Sequence, residues 1–457
     1  MADSFNQSPG SVRLPFPKTR SLVVALFLLS AFLLSACAAT NVNVALPFVA
    51  LENQIAAQTR TSHLATQPVE LPIERASDRP QASFVEHLPS VTTQAADAVS
   101  QTLHLPLVSA QVALSTRLGF GSTAGSLANY PEIESLRTGW YLNWNTQKVP
   151  VRPAGIEFAQ MIRVHQDLEC PVGTTPDRIA CPYTVPHSYT YHPNAATITG
   201  VAVANPGALW LLGNEMDRMD WFGSNQDEML PEVYAVAYHE LYTLIKGADP
   251  LARIAIGGVV QPTPLRLEYL AKVWDTYQQT YGQPMPVDVW NIHAFILREK
   301  LNEWGASIPP GSTATVGEHN GPNFQHIDMT IFDKQIRAFR QWMKDRGQQE
   351  KPLIVTEYGV LYHNSMMGLP NDDAQTPINF MIATFDYFLN EADCSLGYSA
   401  DDCRLVQRWV WFSVDHKVDF NEYHYLFDPD TKEITLTGKA FRDYSLRNLN
   451  QLSKSPY

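Results

Sequence analysis

Two short apolar segments of the chain each end in a glutamate, and paired carboxyl groups can catalyse hydrolysis of a glycosidic bond. Glu215 follows the apolar run 208–213, and Glu357 follows the run 353–356. Each run is too short for a helix and is typical of a buried strand. The carboxyl ends of parallel strands in a barrel meet at one edge, so we expect the two side chains to converge. One carboxyl group would protonate the leaving oxygen, and the other would attack the sugar carbon or activate water.

The segments around these glutamates alternate between strand and helix patterns over most of the chain. Alternation predicts a parallel sheet, and a count of eight strands predicts closure into a (β/α)8 barrel. Glu215 then follows the fourth strand and Glu357 follows the seventh. The predicted strands are 116–121, 138–144, 156–164, 209–213, 253–259, 287–293, 353–356 and 408–412, and the predicted helices are 195–204, 231–246, 264–281, 327–346 and 377–391.

The motifs at the two strand ends resemble those of the retaining glycoside hydrolases of clan A, which are TIM barrels. Asn214-Glu215 follows the fourth predicted strand, and Thr356-Glu357-Tyr358-Gly359 contains the end of the seventh. The resemblance implies that Glu215 is the general acid/base and Glu357 the nucleophile. It implies that Asn214 hydrogen-bonds the sugar 2-hydroxyl, and that the reaction needs neither a cofactor nor a metal ion.

Further residues match this resemblance or depart from it. His293, which we expect to bind the substrate, ends the sixth predicted strand. Clan A enzymes often have His-x-Tyr at this point, with the Tyr hydroxyl oriented to the nucleophile. This chain has Phe295 instead, so the donor that orients Glu357 stays open between Tyr358, Tyr362 and an arginine. Met216 stands where the clan commonly has proline.

Aromatic residues near two other strand ends indicate a sugar-binding surface. Asn143-Trp144, after the second predicted strand, resembles a pair in the family 128 glycoside hydrolases, which cleave beta-1,3-glucans. Trp411, in the eighth predicted strand, matches the position of the tryptophan platform of clan A barrels. Core packing is the alternative role for both Trp144 and Trp411.

Composition restricts the class of partner. The chain has 457 residues, with Lys plus Arg 33 against Asp plus Glu 46, so its net charge of -13 argues against a nucleic acid partner. The aromatic content of 11% suits carbohydrate binding by stacking. We expect a monomer with a carbohydrate substrate.

The N-terminal region is typical of an export signal. Basic residues precede the apolar run 21–36, which ends at Cys37 in a Leu-Ser-Ala-Cys sequence that resembles the bacterial lipobox. We therefore expect residues 1–37 to be a signal with lipidation at Cys37, and an uncleaved membrane anchor is the alternative. Residues 38–110 are rich in Ala, Thr, Gln, Ser and Pro and read as a low-complexity tether. Residues 111–452 would form the catalytic domain, exported and held at the cell surface.

The remaining cysteines form two close pairs, Cys170 with Cys181 and Cys394 with Cys403. An even number at short spacing predicts two local disulfides in an oxidising compartment. A zinc site of four thiolates is the alternative, but neither spacing fits a zinc knuckle.

The sequence features are consistent with two functions. The first is a retaining O-glycoside hydrolase that acts on an extracellular polysaccharide, with a beta-glucan as the candidate. The second is a noncatalytic carbohydrate-binding lipoprotein on the same scaffold, an alternative that the departures at Met216 and Phe295 keep open. The loops at 165–193, 297–326 and 360–376 would determine the substrate.

Overall fold

The computed structural model describes residues 44–45, 115–123, 126–171, 174–175, 177–220, 226–416 and 420–455. The expected signal, the lipidation site Cys37 and the tether 38–110 therefore lie outside the described residues, apart from the short strand Val44–Ala45.

The described chain has a mixed α/β fold with two sheets. The strands are β1 (Val44–Ala45), β2 (Leu118–Gly121), β3 (Trp140–Leu142), β4 (Glu157–Phe158), β5 (Gln160–Gln166), β6 (Ser188–His192), β7 (Leu209–Asn214), β8 (Arg253–Gly258), β9 (Trp290–His293), β10 (Leu353–Glu357) and β11 (Arg408–Trp411). One sheet has the order β4-β3-β2-β11-β10-β9, and all of its pairings are parallel. The other has the order β1-β6-β5-β7-β8, in which β6 pairs antiparallel with both β1 and β5.

In the part of the chain that the structure describes, six α-helices follow the strands at intervals. They are α1 (Ala195–Ala204), α2 (Pro231–Ala248), α3 (Pro264–Tyr281), α4 (Met329–Asp345), α5 (Gln375–Asn390) and α6 (Leu436–Leu452). Proline at the first position of α2 and of α3 suits a helix start because the first N–H groups of a helix have no partner within it. Within the described residues, none of the helices has the length and apolar character that crossing a membrane requires.

The two faces of the strands contact different surroundings. One face packs with the helices in a large apolar core. The other face contributes to a small cluster built from strand residues and close neighbours of the strands. This second cluster consists of Trp140, Leu142, Ala159, Met161, Leu209, Leu211, Ala255, Val289, Ile354 and Val410. Buried apolar residues on both faces are typical of parallel strands, and they explain why these segments read as continuous apolar runs.

Seven of the eight predicted strands are each found as one strand, with ends shifted by up to three residues. The predicted strand 156–164 is instead divided into β4 and β5, which belong to different sheets. The predicted helices 231–246, 264–281, 327–346 and 377–391 correspond to α2 to α5, and 195–204 coincides with α1. No α-helix was predicted between the first three strands, and the described residues contain none there. Short 3-10 turns, among them Ile133–Leu136 and Pro153–Gly155, make the first two connections within the described residues. The third connection adds the antiparallel strand β6, which the sequence pattern did not indicate.

Both predicted disulfides are present, Cys170–Cys181 and Cys394–Cys403. The first closes a loop within the connection between β5 and β6. The second closes the segment between α5 and β11, next to the ion pairs that Arg337 of α4 makes with Glu391 and Asp393.

We expect the double variant Cys394→Ser/Cys403→Ser to lower the free energy of unfolding by about 2 to 3 kcal/mol, since a short closed loop restricts the unfolded chain. Urea unfolding of the oxidised protein measures this, and the double variant Cys170→Ser/Cys181→Ser is the matched comparison. Loss of the 394–403 bridge without any change in unfolding free energy would contradict the structural role assigned to it.

Candidate active site

The structure brings the two predicted carboxyl groups together with His293. Glu215 follows β7, His293 ends β9 and Glu357 ends β10. One donor atom of each side chain lies within 4.8 Å of the others. Glu215 and His293 are buried, and the side chain of Glu357 is 13% exposed. Residues from the ends of three strands therefore form one compact polar group.

The backbone around Glu215 is held in a fixed and unusual conformation. Glu215 has φ 51°, in the left-handed region that side chains seldom adopt, and its N–H donates to the carbonyl of Gly258 at 3.0 Å. The buried carboxylate of Asp227 accepts from the N–H of Asn214 at 2.8 Å and from that of Val164 at 3.1 Å. Asp227 thus ties the ends of β5 and β7 together and fixes the turn that presents Glu215.

Three donors surround the carboxylate of Glu215. Arg218 Nη1 donates to Oε2 at 2.8 Å, and Gln226 Nε2 donates to the same oxygen at 3.3 Å. His293 Nδ1 lies 3.2 Å from Oε1. Charged donors form the stronger hydrogen bonds to a carboxylate, so this environment favours the ionised form of Glu215.

Glu357 has fewer donors, and the main one was not anticipated. The indole N–H of Trp144 donates to Glu357 Oε2 at 3.1 Å, and His293 Nε2 lies 3.8 Å from the same oxygen. Trp144 therefore occupies the orienting role left open by Phe295. Within the described residues, neither tyrosine considered for this role hydrogen-bonds Glu357, and the Tyr358 hydroxyl pairs with Thr384 instead.

The indole ring of Trp144 occupies space that a side chain at position 121 would fill. A methyl group added at Gly121, at the end of β2, would come within 2.8 Å of Trp144 Cη2. A larger residue at position 121 would therefore press on the indole ring whose N–H donates to Glu357. Glycine is required there by packing.

The surroundings separate the pKa values of the two carboxyl groups. Burial alone would raise the pKa of Glu215, but the Arg218 guanidinium and His293 outweigh it and hold that pKa below its usual range. Burial raises the pKa of Glu357 to about 7, and the charge of Glu215 adds to the rise while His293 opposes it. The roles implied by the resemblance, an acid at Glu215 with a raised pKa and an ionised nucleophile at Glu357, require the opposite order. The order is reversed because Arg218 pairs with Glu215.

His293 lies between the two carboxyl groups. Burial would lower its pKa, but the negative charges of Glu357 and Glu215 raise the pKa above its usual value. A protonated imidazole at this point partly neutralises the pair. Among the described residues, Glu215, His293 and Glu357 also form the set of donors that could hold a metal ion. An ion bound there would have to replace the contact between His293 and Glu215.

The carboxyl groups open into a cavity of about 670 Å³, a size within the ~300–1,000 Å³ range of small-molecule sites. Its wall is partly polar and partly aromatic. The lining residues are Thr123, Asn143, Trp144, Asn145, Arg163, Asn214, Glu215, Arg218, Gln226, Phe295, Trp304, Glu357, Leu361, Phe412, His416 and Phe420.

Three of the predicted substrate-binding residues line this cavity: Asn143, Trp144 and Asn214. The side-chain oxygens of Asn143 and Asn214 are buried without a hydrogen-bond partner, so both offer an acceptor to a ligand hydroxyl. His293 lies behind the two carboxyl groups and contacts them, but it does not line the cavity.

The assignment of Trp411 as a substrate platform is wrong. Its side chain is fully buried, its N–H donates to the carbonyl of His424 at 2.8 Å, and its ring packs edge-on against Tyr358. The next residue, Phe412, lines the cavity instead. Trp411 lies on the helix-facing side of β11, because the opposite face at Val410 fills the small strand cluster.

The sequence interpretation also missed Arg218, Gln226 and Trp304. No motif distinguishes these residues, since each lies in a loop and reaches the cavity only through the path of the folded chain. The position of Arg218 three residues after Glu215 was the one available signal, because that spacing permits a local ion pair.

No protein-family model matches the chain, and no curated protein matches it by sequence. Three solved structures illustrate what the chain is similar to. An endo-beta-1,3-glucanase of family GH128, subgroup II, from Sorangium cellulosum is 15% identical with a TM-score of 0.42, and the match covers 72% of this chain and 98% of that one. GH5_18 from Streptomyces cattleya, solved with GlcNAc, is 13% identical with a TM-score of 0.43, covering 76% and 83%. The beta-1,3-glucanase and pollen allergen CJP38 of Cryptomeria japonica is 11% identical with a TM-score of 0.39, covering 70% and 97%.

Glycoside hydrolases of clan A therefore recur among the structures similar to this chain. At such identities and scores, the similarities assign the chain neither a family nor an activity.

Proposed function

We propose that this protein is a retaining O-glycoside hydrolase that acts on an extracellular polysaccharide, with a beta-glucan as the candidate substrate. The observation that carries the proposal is the pair Glu215 and Glu357, with carboxylate oxygens within 4.8 Å of each other at the wall of an aromatic-lined cavity. Retaining enzymes keep their two carboxyl groups about 5 to 5.5 Å apart, whereas inverting enzymes need room for a water between them.

In the proposed reaction, the carboxylate of Glu357 attacks the anomeric carbon of the sugar. The glycosidic C–O bond breaks, and the leaving oxygen takes a proton from the carboxyl group of Glu215. Water then attacks the anomeric carbon of the glycosyl-enzyme, its proton passes to Glu215, and Glu357 is released. The oxygens of Asn143 and Asn214 accept hydrogen bonds from sugar hydroxyls.

Both steps of the proposed reaction use one proton that the two carboxyl groups share. The surroundings favour that proton on Glu357, so the assigned roles require it to pass to Glu215 when a sugar enters. His293 contacts both carboxyl groups, with Nδ1 at 3.2 Å from Glu215 and Nε2 at 3.8 Å from Glu357, so its imidazole can relay this proton.

The proposed scaffold is a closed (β/α)8 barrel formed by residues 111–452. Isolated parallel bridges Ala255↔Val289 and Val259↔Ile292 between β8 and β9 support closure on one side. On the other side, Phe158 of β4 and Gln160 of β5 are separated by a single residue. Glu157 also pairs with Arg253 of one sheet and Arg408 of the other, at 2.6 and 2.9 Å.

Export and attachment through Cys37, or through an uncleaved anchor, belong to the same proposal. The two disulfides support an oxidising compartment. The chain would function as a monomer and would bind no nucleic acid.

A noncatalytic carbohydrate-binding protein is the second candidate, and a specific contact favours it. The ion pair between Arg218 and Glu215 opposes protonation of the proposed acid. A 2-deoxy-2-fluoroglycoside inactivator separates the candidates: covalent labelling at Glu357 supports the hydrolase, and sugar binding with neither labelling nor turnover supports the binder. Labelling at Glu215 would mean that the two roles are reversed.

We expect Glu357→Gln to abolish detectable release of reducing sugar from a panel of glucans, mannans, xylans and galactans. Glu215→Ala should lower turnover about 10²- to 10⁴-fold, and azide or formate should partly restore it on substrates with activated leaving groups. Glu268→Gln, an exposed glutamate on α3, is the matched control and should keep full activity. Full activity in either site variant would remove the assignment.

The pH dependence of kcat/KM should reflect the shared proton. Because burial raises the pKa of Glu357 to about 7, the pair loses its proton as the pH rises through that value, and activity should fall on the alkaline side near pH 7. The second proton binds Glu215 only below its usual pKa, so the acidic limb should lie below about pH 4.

Arg218→Gln removes the charge that keeps Glu215 ionised and should move the acidic limb of this profile to higher pH. Arg218→Lys keeps the charge and should leave the limb closer to the original. An acidic limb that is the same in the Gln variant as in the parent protein would show that Arg218 does not act through Glu215.

A further inference from the structure

Trp304 is an exposed tryptophan in the cavity wall, and nothing in the proposed reaction uses it. Its side chain is 40% exposed, whereas seven other tryptophans of the described chain are buried. A large apolar ring facing water forgoes favourable burial, so its retention at a cavity mouth points to a ligand that covers it.

The loop after β9 holds this ring outward. Gly305, the next residue, has φ 145°, and a methyl group added there would come within 2.4 Å of the Arg298 carbonyl oxygen. The ring of Trp304 also contacts Tyr362, with centroids 5.5 Å apart, and Phe420, with centroids 6.4 Å apart. The position of the indole is therefore set by a sharp turn and by two aromatic neighbours.

The same loop is tied directly to the proposed acid. Arg218 donates through Nε to the carbonyl of Gly305 at 2.9 Å and through Nη1 to Glu215 at 2.8 Å. A single guanidinium group and two hydrogen bonds thus separate the Glu215 carboxylate from the backbone next to Trp304. A sugar ring stacked on Trp304 would therefore lie close to a sugar ring bound at the two carboxyl groups.

Buried charged residues also hold the loop that carries Trp304, on the side away from the cavity. Arg266 of α3 lies 3.0 Å from Asp217, two residues after Glu215, and it also pairs with Glu299. Its second terminal nitrogen donates to the carbonyls of Ala306 and Ser307. The loop that carries Trp304 and the turn that carries Glu215 therefore share one anchor.

We propose that Trp304, together with Phe420, is a stacking platform for a second pyranose ring of the glycan, next to the ring that is cleaved. The proposal rests on the proposed function and adds to it a binding position for a second sugar ring of the polysaccharide. A pyranose ring offers an apolar face of C–H groups that packs on an aromatic ring, while its hydroxyl groups stay in water. Binding at such a remote position contributes to the rate of bond cleavage.

The test compares Trp304→Ala with the parent protein on an aryl monoglycoside and on di- to hexasaccharides of glucan, mannan, xylan and galactan. We expect kcat/KM for the longer oligosaccharides to fall about 10- to 100-fold, as at a binding hot spot, with the aryl monoglycoside unchanged. Trp304→Phe keeps a smaller ring and should show an intermediate loss. Phe324→Ala is the matched control, because Phe324 is 54% exposed and does not line the cavity.

Binding measured without turnover keeps the two proposals distinguishable. Calorimetric titration of Glu357→Gln with the same oligosaccharides, with and without Trp304→Ala, should show the same dependence on chain length. If the parent protein cleaves nothing but its affinity for longer chains depends on Trp304, the platform stands and the hydrolase proposal fails. Equal losses at every chain length, or no loss with any oligosaccharide, would overturn the platform.

Discussion

Two carboxyl groups within 4.8 Å of each other, one buried and the other only 13% exposed, cannot both carry an uncompensated charge. At that separation two ionised carboxylates repel by roughly 3 to 4 kcal/mol even at an effective dielectric constant of 20. Three features reduce this repulsion. Arg218 pairs with Glu215, the imidazole of His293 lies between the two groups, and the pKa of Glu357 is raised. The pair therefore retains one proton up to near neutral pH, which is the condition that a general acid beside a nucleophile must meet.

The rest of the site can be understood as support for this pair. Asp227 fixes the end of β7 through backbone N–H groups, and its charge is balanced by Arg163, which donates to it from β5. Arg266 pairs with Asp217 and Glu299 behind the cavity. A buried charge that lost its partner would be strongly destabilising, so these pairs hold their loops in one arrangement. Rigid support of this kind keeps reacting groups in place.

Arg218 connects the chemistry to the wall of the cavity. Its guanidinium group donates to the carboxylate of Glu215 and to the backbone of the loop next to Trp304. The same side chain therefore affects both the protonation of Glu215 and the position of that loop. The opposite carboxyl group is held by Trp144, whose ring also faces the cavity. Each of the two glutamates thus has a neighbour that acts both on its carboxyl group and on the surface a ligand would touch.

The sequence alone determined the strands, most helices, both disulfides and the two glutamates, because these depend on local apolar runs, short cysteine spacings and the position of a polar residue where a run stops. It could not determine which face of β11 points outward, so Trp411 was chosen where Phe412 lines the cavity. It also gave no sign that Trp144 donates to Glu357 or that Arg218 lowers the pKa of Glu215. Those features arise from contacts between strand ends and loops that are distant in the chain, or from the direction of a side chain in a turn. Only the folded structure brings these groups within hydrogen-bonding distance, and that distance decides their charge.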